Sequence, residues 1–127
     1  MRAFLPFLFL IGCATPGLDP AEQERSALAA ELSGRVAGRA QSCVSTYPAE
    51  SLRIVDSATL VYGAGGTVWV NRLAGSCPGL RPNDTIIVEV HGSQYCKGDL
   101  FRTVTPGSSI PGPMCPLGDF VPYRKPR

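Results

Sequence analysis

The sequence predicts a mainly β domain with one N-terminal helix, built as a small antiparallel sheet or barrel of five to six short strands stapled by two disulfides. From residue 43 onward, apolar and polar residues alternate over short stretches, which is the pattern of half-buried strands. The 14 glycines and 12 prolines separate these stretches by loops without long helical segments, so we expect antiparallel pairing. The cysteines after residue 40 form an even set suited to disulfides in an oxidising compartment.

Residues 1–12 have the features of an export leader, with a basic residue at Arg2, an apolar run over 3–11 and a small residue at Gly12. The run is much shorter than the roughly 20 residues that a membrane-spanning helix needs. The residues Leu10-Ile11-Gly12-Cys13 resemble the lipobox of bacterial lipoproteins. The resemblance implies removal of residues 1–12 and lipidation of Cys13, and plain secretion is the alternative.

The predicted lipid anchor places the protein in the cell envelope. One acyl chain binds a protein to a membrane only marginally, whereas several chains bind it durably. In the lipoproteins that the leader resembles, processing attaches three acyl chains, palmitate among them. Ala14 stands where Asp signals inner-membrane retention in the lipoproteins that the leader resembles. We therefore expect an outer-membrane protein that faces the periplasm, with residues 13–18 as its tether.

An N-terminal helix is predicted at 19–40, with 20–33 as its main part. Asp19 can cap this helix and Pro20 suits its first position. A narrow apolar stripe repeats at four-residue spacing and consists of Leu28, Leu32 and Val36. We expect this stripe to pack on the domain.

The disulfide-stapled β domain is predicted at 43–123, and a basic tail follows at 124–127. Gly63-Ala64-Gly65-Gly66 can form a hairpin turn between two of the strands. The predicted strands of the domain lie at 52–54, 59–62, 67–73, 85–91, 95–96 continuing at 99–104, and 114–121. The segments 74–84 and 106–113 are predicted loops.

Five cysteines divide into Cys13, assigned to lipid, and four that are available for disulfides. Four cysteines allow three pairings, and the sequence alone does not choose among them. We expect Cys77–Cys96, which brackets one predicted strand, together with Cys43–Cys115, which would tie the start of the domain to its end. A zinc site is not expected, because no Cys-x-x-Cys occurs and His91 is the only histidine.

The cysteines and their neighbours resemble a family of small exported bacterial proteins of unknown function. The resemblance covers about residues 43–121. The residues that carry it are Cys43, Cys77-x-x-Leu80, Cys96-x-Gly98-Asp99 and Cys115. The resemblance implies an exported, cystine-containing, β-rich domain. The family has no assigned activity, so the resemblance implies no catalytic residue.

The charge balance argues against a nucleic-acid partner. The chain has 12 basic residues, of which Arg2 lies in the leader, against 10 acidic residues, so it lacks the strong positive charge of a nucleic-acid-binding domain. The sequence contains no phosphate-binding loop and no dinucleotide fingerprint, so no cofactor is expected. The expected partners are the membrane, through lipidated Cys13, and an envelope protein.

Four residues are candidates for binding. Trp69 can anchor an interface or pack in the core, and His91 is the only imidazole. Asp99 and Asp119 each follow Gly shortly after a Cys, a pattern typical of turns, and they could also converge on a cation or a substrate. No catalytic residue is assigned.

The predicted function is a lipid-anchored envelope protein with a non-catalytic binding or structural role. One alternative is a small envelope hydrolase that uses His91, with Glu89 beside it, or a pair of acids. Another alternative is an inhibitor that presents a loop, Ser76–Pro82 or Pro106–Pro113, to an envelope enzyme.

Overall fold

The computed structural model describes residues 12, 17, 19–47, 52–64 and 66–127. The predicted lipidation at Cys13 lies outside the described residues. One helix, α1 (Pro20–Leu32), precedes ten strands in the described part of the chain. The strands are β1 (Val36–Ala37), β2 (Cys43–Ser45), β3 (Arg53–Asp56), β4 (Thr59–Ala64), β5 (Thr67–Arg72), β6 (Thr85–Val88), β7 (Gln94–Cys96), β8 (Leu100–Val104), β9 (Pro111–Pro116) and β10 (Phe120–Arg124).

Helix α1 begins at Pro20, whose fixed φ suits a first helical position. Asp19 makes no side-chain cap hydrogen bond, so the capping prediction is wrong, and its backbone carbonyl instead accepts from Gln23 N at 3.0 Å. The helix ends before Gly34, whose φ of 75° lies in the left-handed region. The predicted segment 19–40 is therefore not helical to its end, because Val36 and the residue after it form a strand.

The strands form three separate sheets. The central sheet has the order β1-β10-β5-β4-β3, a small sheet pairs β2 with β7, and a three-stranded sheet has the order β6-β8-β9. All of the pairings are antiparallel. The last strand, β10, therefore lies between the first strand and β5, in the interior of the central sheet.

Both faces of the central sheet are covered, and each face contributes to its own core. Under helix α1, Leu28 packs against four valines of β3, β4 and β5, namely Val55, Val61, Val68 and Val70. On the opposite face, side chains of the central sheet pack against those of the other two sheets. The largest fully buried side chains of this second core are Tyr62, Phe101, Phe120, Ile54 and Leu60.

The predicted fold class, mainly β with one helix and two disulfides, is confirmed. The sheets are open rather than closed into a barrel, and there are more strands than the five to six expected. Strands β1 and β2 lie outside the predicted segments, because two or three residues are too few to show an alternation. The predicted stretch from 95 to 104 forms two strands, β7 and β8, and the predicted strand at 114–121 is divided between β9 and β10. The predicted loop at 106–113 is wrong at its end, since β9 begins at Pro111.

The predicted disulfide pairing is wrong: Cys43 is bonded to Cys96, and Cys77 to Cys115. The reason lies in the strand pairing, because β2 lies beside β7 with Cys43 directly opposite Cys96. The Cα atoms of that pair are 4.0 Å apart. Cys115 lies on β9 and reaches Cys77, in the loop after β5, with 6.1 Å between Cα atoms.

We expect peptide mapping of the oxidised protein to find these two linkages. Cleavage after Arg and Lys leaves Cys77 and Cys96 on one peptide, because Arg81 precedes Pro82, so a second cut after Glu89 is needed. The bonds close 53 and 38 residues, and each should contribute about 4 kcal/mol to the free energy of unfolding in the chain-entropy model. A linked Cys77–Cys96 peptide would contradict the observed strand pairing.

Candidate functional site

A groove with a volume of about 390 Å³ opens beside Trp69. Residues of β2, β4, β5, β7 and β10, from the central and the small sheet, line it together with Gln41 and Tyr47. We call it the Trp69–Arg124 groove, after the two side chains that define it. Its volume lies within the roughly 300–1,000 Å³ that is typical of small-molecule sites.

The floor of the groove is aromatic and rigid. Trp69 is only 8% exposed and Tyr62 is 1% exposed. The Tyr62 hydroxyl donates to the backbone carbonyl of Ser45 at 2.7 Å, and its ring meets Tyr95 edge-on with 5.7 Å between centroids. Burial, together with the negative charge that Tyr95 gains when it ionises, raises the pKa of Tyr62 above its ordinary value of 10.0, so the phenol stays neutral.

Arg124 is exposed, supplies the positive charge of the groove and makes two side-chain contacts with β5. Its Nε donates to Thr67 Oγ1 at 3.0 Å, and its guanidinium carbon lies 5.8 Å from the centroid of the Trp69 ring. The first contact follows from strand register, because Arg124 is directly opposite Thr67. The two terminal nitrogens of Arg124 make no hydrogen bond to any described residue.

The rim carries neutral polar groups and one exposed aromatic ring. Gln41 and Gln94 are exposed, and their side-chain amides form no hydrogen bond with the residues that the structure describes. Tyr47 is 84% exposed, while its backbone N–H and carbonyl are both bonded to the Ser45 hydroxyl, at 3.1 and 2.9 Å. The rim can therefore donate to and accept from a ligand in the groove.

A larger groove, of about 670 Å³, lies at the beginning of helix α1. Its charged lining residues have both signs and include Asp19, Arg25, Asp56, Arg81 and Asp84. Arg25 and Asp56 approach each other at 3.7 Å, so part of this charge is neutralised within the protein. The larger groove thus presents mixed charges to a ligand, from three aspartates and two arginines.

The four candidate residues do not come together. Trp69 lines the groove, whereas His91 is exposed in the bend after β6 and has no hydrogen bond or ion pair with a described residue. Asp99 accepts the backbone N–H of Cys96 at 2.8 Å, and Asp119 is paired with Lys97 at 3.3 Å. Asp99 therefore acts as a turn residue.

Asp99 and Asp119 belong to two segments of similar sequence, Cys96–Phe101 and Cys115–Phe120, which lie side by side. Gly98 N donates to the Leu117 carbonyl at 2.9 Å, and Leu117 N donates to the Asp99 carbonyl at 2.9 Å. Gly98 has a φ of 88°, which its lack of a side chain permits. These contacts explain Gly98-Asp99, the first copy of the Gly-Asp pattern, by backbone geometry.

The two loops considered for an inhibitor differ in exposure. In Ser76–Pro82, Cys77 is bonded to Cys115 and Leu80 is buried. In the second loop, Ile110 is 76% exposed. A single exposed apolar side chain is common on protein surfaces and does not define a docking site.

Within the described ranges, no group of three or more His, Cys, Asp or Glu side chains is placed to hold a metal ion. No helix in the same ranges combines the length and apolar character needed to cross a bilayer. Comparison with protein-family models, with characterised proteins and with solved structures finds no match. The family resemblance therefore stays a prediction.

Among the residues that line the groove, the sequence analysis singled out Trp69 and not Arg124, Gln41 or Gln94. Arg124 was assigned to the basic tail, although it is the last residue of β10. The apolar run Phe120-Val121-Pro122-Tyr123 could have extended the predicted strand to Arg124. Nothing in the local sequence indicates that Gln41 and Gln94, 53 residues apart, meet at one groove.

The raised pKa of Tyr62 predicts a loss of stability in alkali. Folding favours the neutral phenol, so this contribution is fully present below pH 10 and is lost as the pH rises through the folded pKa. An absorbance titration of phenolate should show one late-titrating tyrosine, which Tyr62→Phe removes and Tyr47→Phe leaves in place. Loss of the late phase in Tyr47→Phe would contradict the assignment.

Proposed function

We propose that the chain is a lipid-anchored protein of the cell envelope with a non-catalytic binding role, and that the Trp69–Arg124 groove is its binding site. The leader residues Leu10-Ile11-Gly12-Cys13 support the anchor. The observation that carries the binding role is the groove itself. It combines a rigid aromatic floor, an oriented guanidinium with unbonded nitrogens and two unbonded amides.

A non-catalytic role agrees with the chemistry of the groove. Its lining contains Ser45, but the Ser45 hydroxyl is bonded to the Tyr47 backbone and no histidine lines the groove among the described residues. A hydroxyl nucleophile needs an adjacent base. The groove's polar groups instead suit the recognition of a ligand that leaves unchanged.

The anchor predicts that Cys13→Ser releases the protein from membranes. The wild-type protein should sediment with the envelope membranes and have an N-terminal peptide that starts at residue 13 with the mass of attached acyl chains. Cys13→Ser should be soluble and lack that mass, because acylation of this one residue supplies the whole anchor. Wild-type protein that retains residues 1–12 in the cytosol would contradict the proposal.

The binding role predicts a contact made at the groove in intact cells. A photo-crosslinking residue at position 94, on the exposed rim, should give a discrete adduct with an envelope component. The same residue at position 102, exposed on β8 outside the groove, is the matched control and should give none. Arg124→Gln should reduce the adduct at position 94.

Equal labelling at positions 94 and 102 would mean that the groove is not the site of contact. Absence of labelling at position 94 in cells that contain normal amounts of the folded protein would also count against a binding role for the groove. Oxidised Cys43–Cys96 serves as the check on folding, because this disulfide joins the two strands beside position 94.

A further inference from the structure

We infer that the Trp69–Arg124 groove takes a small ligand through a carboxylate, which Arg124 receives. The inference rests on the proposed binding function of the same groove and names the chemical class of its ligand. It depends on the charge, the hydrogen bonding and the immobilisation of Arg124, and on the neutral character of the rest of the groove.

The free donors of Arg124 match one carboxylate. Its Nε is already bonded to Thr67, so the N–H groups on its two terminal nitrogens are those left for a ligand. A guanidinium offers a planar fork that pairs with the two oxygens of a carboxylate in parallel hydrogen bonds. Charge-assisted bonds of this kind are stronger than those between neutral groups.

The charges around Arg124 favour an anion. No acidic residue is among those that line the groove in the described part of the chain. In the register between β1 and β10, Val36 is opposite Arg124, so Arg35 and Lys125 lie at the same end of the sheet. The nearest acid along the helix, Glu31, is occupied by Arg53 at 2.7 Å.

Arg35 adds positive charge without competing for the ligand. Its guanidinium donates to three backbone carbonyls, those of Glu31, Gly66 and Tyr123, at 3.1, 2.8 and 3.4 Å. It is therefore committed to the protein, while its charge remains at this end of the domain. An anion approaching Arg124 meets a positive potential that salt will screen.

Arg124 is placed before the ligand arrives. The Thr67 hydroxyl and the Trp69 ring together restrict the guanidinium, which lowers the entropic cost of binding. A carboxylate suits the site better than a phosphate, because the remaining polar groups of the rim, Gln41 and Gln94, are neutral amides. Those amides can bond the peptide or sugar groups that accompany a carboxylate in a small ligand.

The test uses two pairs of probes, each made of an acid and a neutral partner. N-acetyl-alanyl-alanine and its C-terminal amide differ only at the carboxylate, whereas N-acetylmuramic acid differs from N-acetylglucosamine by the lactyl group that carries its carboxylate. Trp69 is the only tryptophan of the chain, so its fluorescence in the full-length protein reports on the groove. At least one acid should give a saturable change with a midpoint about tenfold or more below that of its neutral partner.

Substitutions separate the role of Arg124 from general charge. Arg124→Gln should weaken binding of that acid by about tenfold or more. Thr67→Val retains the guanidinium but removes its hydrogen-bond partner, and should weaken binding severalfold. Lys125→Gln, the adjacent cation outside the groove lining, should change the midpoint by less than about threefold in 0.15 M salt. Thermal unfolding of each variant shows that it is folded.

The carboxylate inference is overturned if the neutral partners bind as tightly as the acids, if inorganic phosphate competes as well as the acid, or if folded Arg124→Gln binds the acid normally. It is also overturned if no acid changes Trp69 fluorescence or raises the unfolding temperature at 10 mM. An adduct at position 94 in cells that persists under any of these outcomes would leave the groove a binding site for a ligand of another class.

Discussion

The placement of the C-terminal strand between β1 and β5 is the constraint on which the rest of the structure depends. Asn71 on β5 binds the chain just before β10. Its fully buried side-chain amide donates to the Gly118 carbonyl and accepts a hydrogen bond from the Gly118 N–H, both at 2.8 Å. A side chain at residue 118 would collide with the carbonyl of Arg72. Only a glycine there lets the chain pass β5 closely enough to continue as β10, and loss of the amide would leave buried backbone groups without partners.

The same strand positions the groove. From its start at Phe120, opposite Asn71, β10 runs antiparallel to β5 until Arg124 is opposite Thr67. The other wall of the groove is held differently, since the bond between Cys43 and Cys96 joins β2 to β7. The Tyr62 hydroxyl bridges the two walls through the Ser45 carbonyl. The site therefore depends on contacts between residues that are far apart in the chain.

Local patterns predicted the elements well where one strand follows another directly. The alternation on either side of Gly63 and Gly66 predicted β4 and β5, which pair with Ala64 opposite Thr67. The same alternation did not predict which residues are exposed. It places the polar Asn71 on the same face as Trp69, as expected of a solvent-facing residue, yet the exposed fraction of Asn71 is 0%. Its partner Gly118 lies 47 residues later, and no local period encodes such a contact. The prediction of the disulfide pairing was wrong for the same reason, because proximity in sequence does not reveal that β2 lies beside β7.

The position of helix α1 relates the proposed anchor to the groove. The helix has 13 residues and is about 20 Å long. Pro20, at its beginning, borders the groove that includes residues 80–84, while Arg35, just after its end, is bonded to Gly66 and Tyr123 beside Arg124. A lipid on the proposed anchor, Cys13, would be joined to the domain through Asp19, at the first of these ends, whereas Arg124 lies at the other. The proposed anchor and the proposed binding site would therefore be separated by the length of α1, so that attachment at one end leaves the Trp69–Arg124 groove at the other.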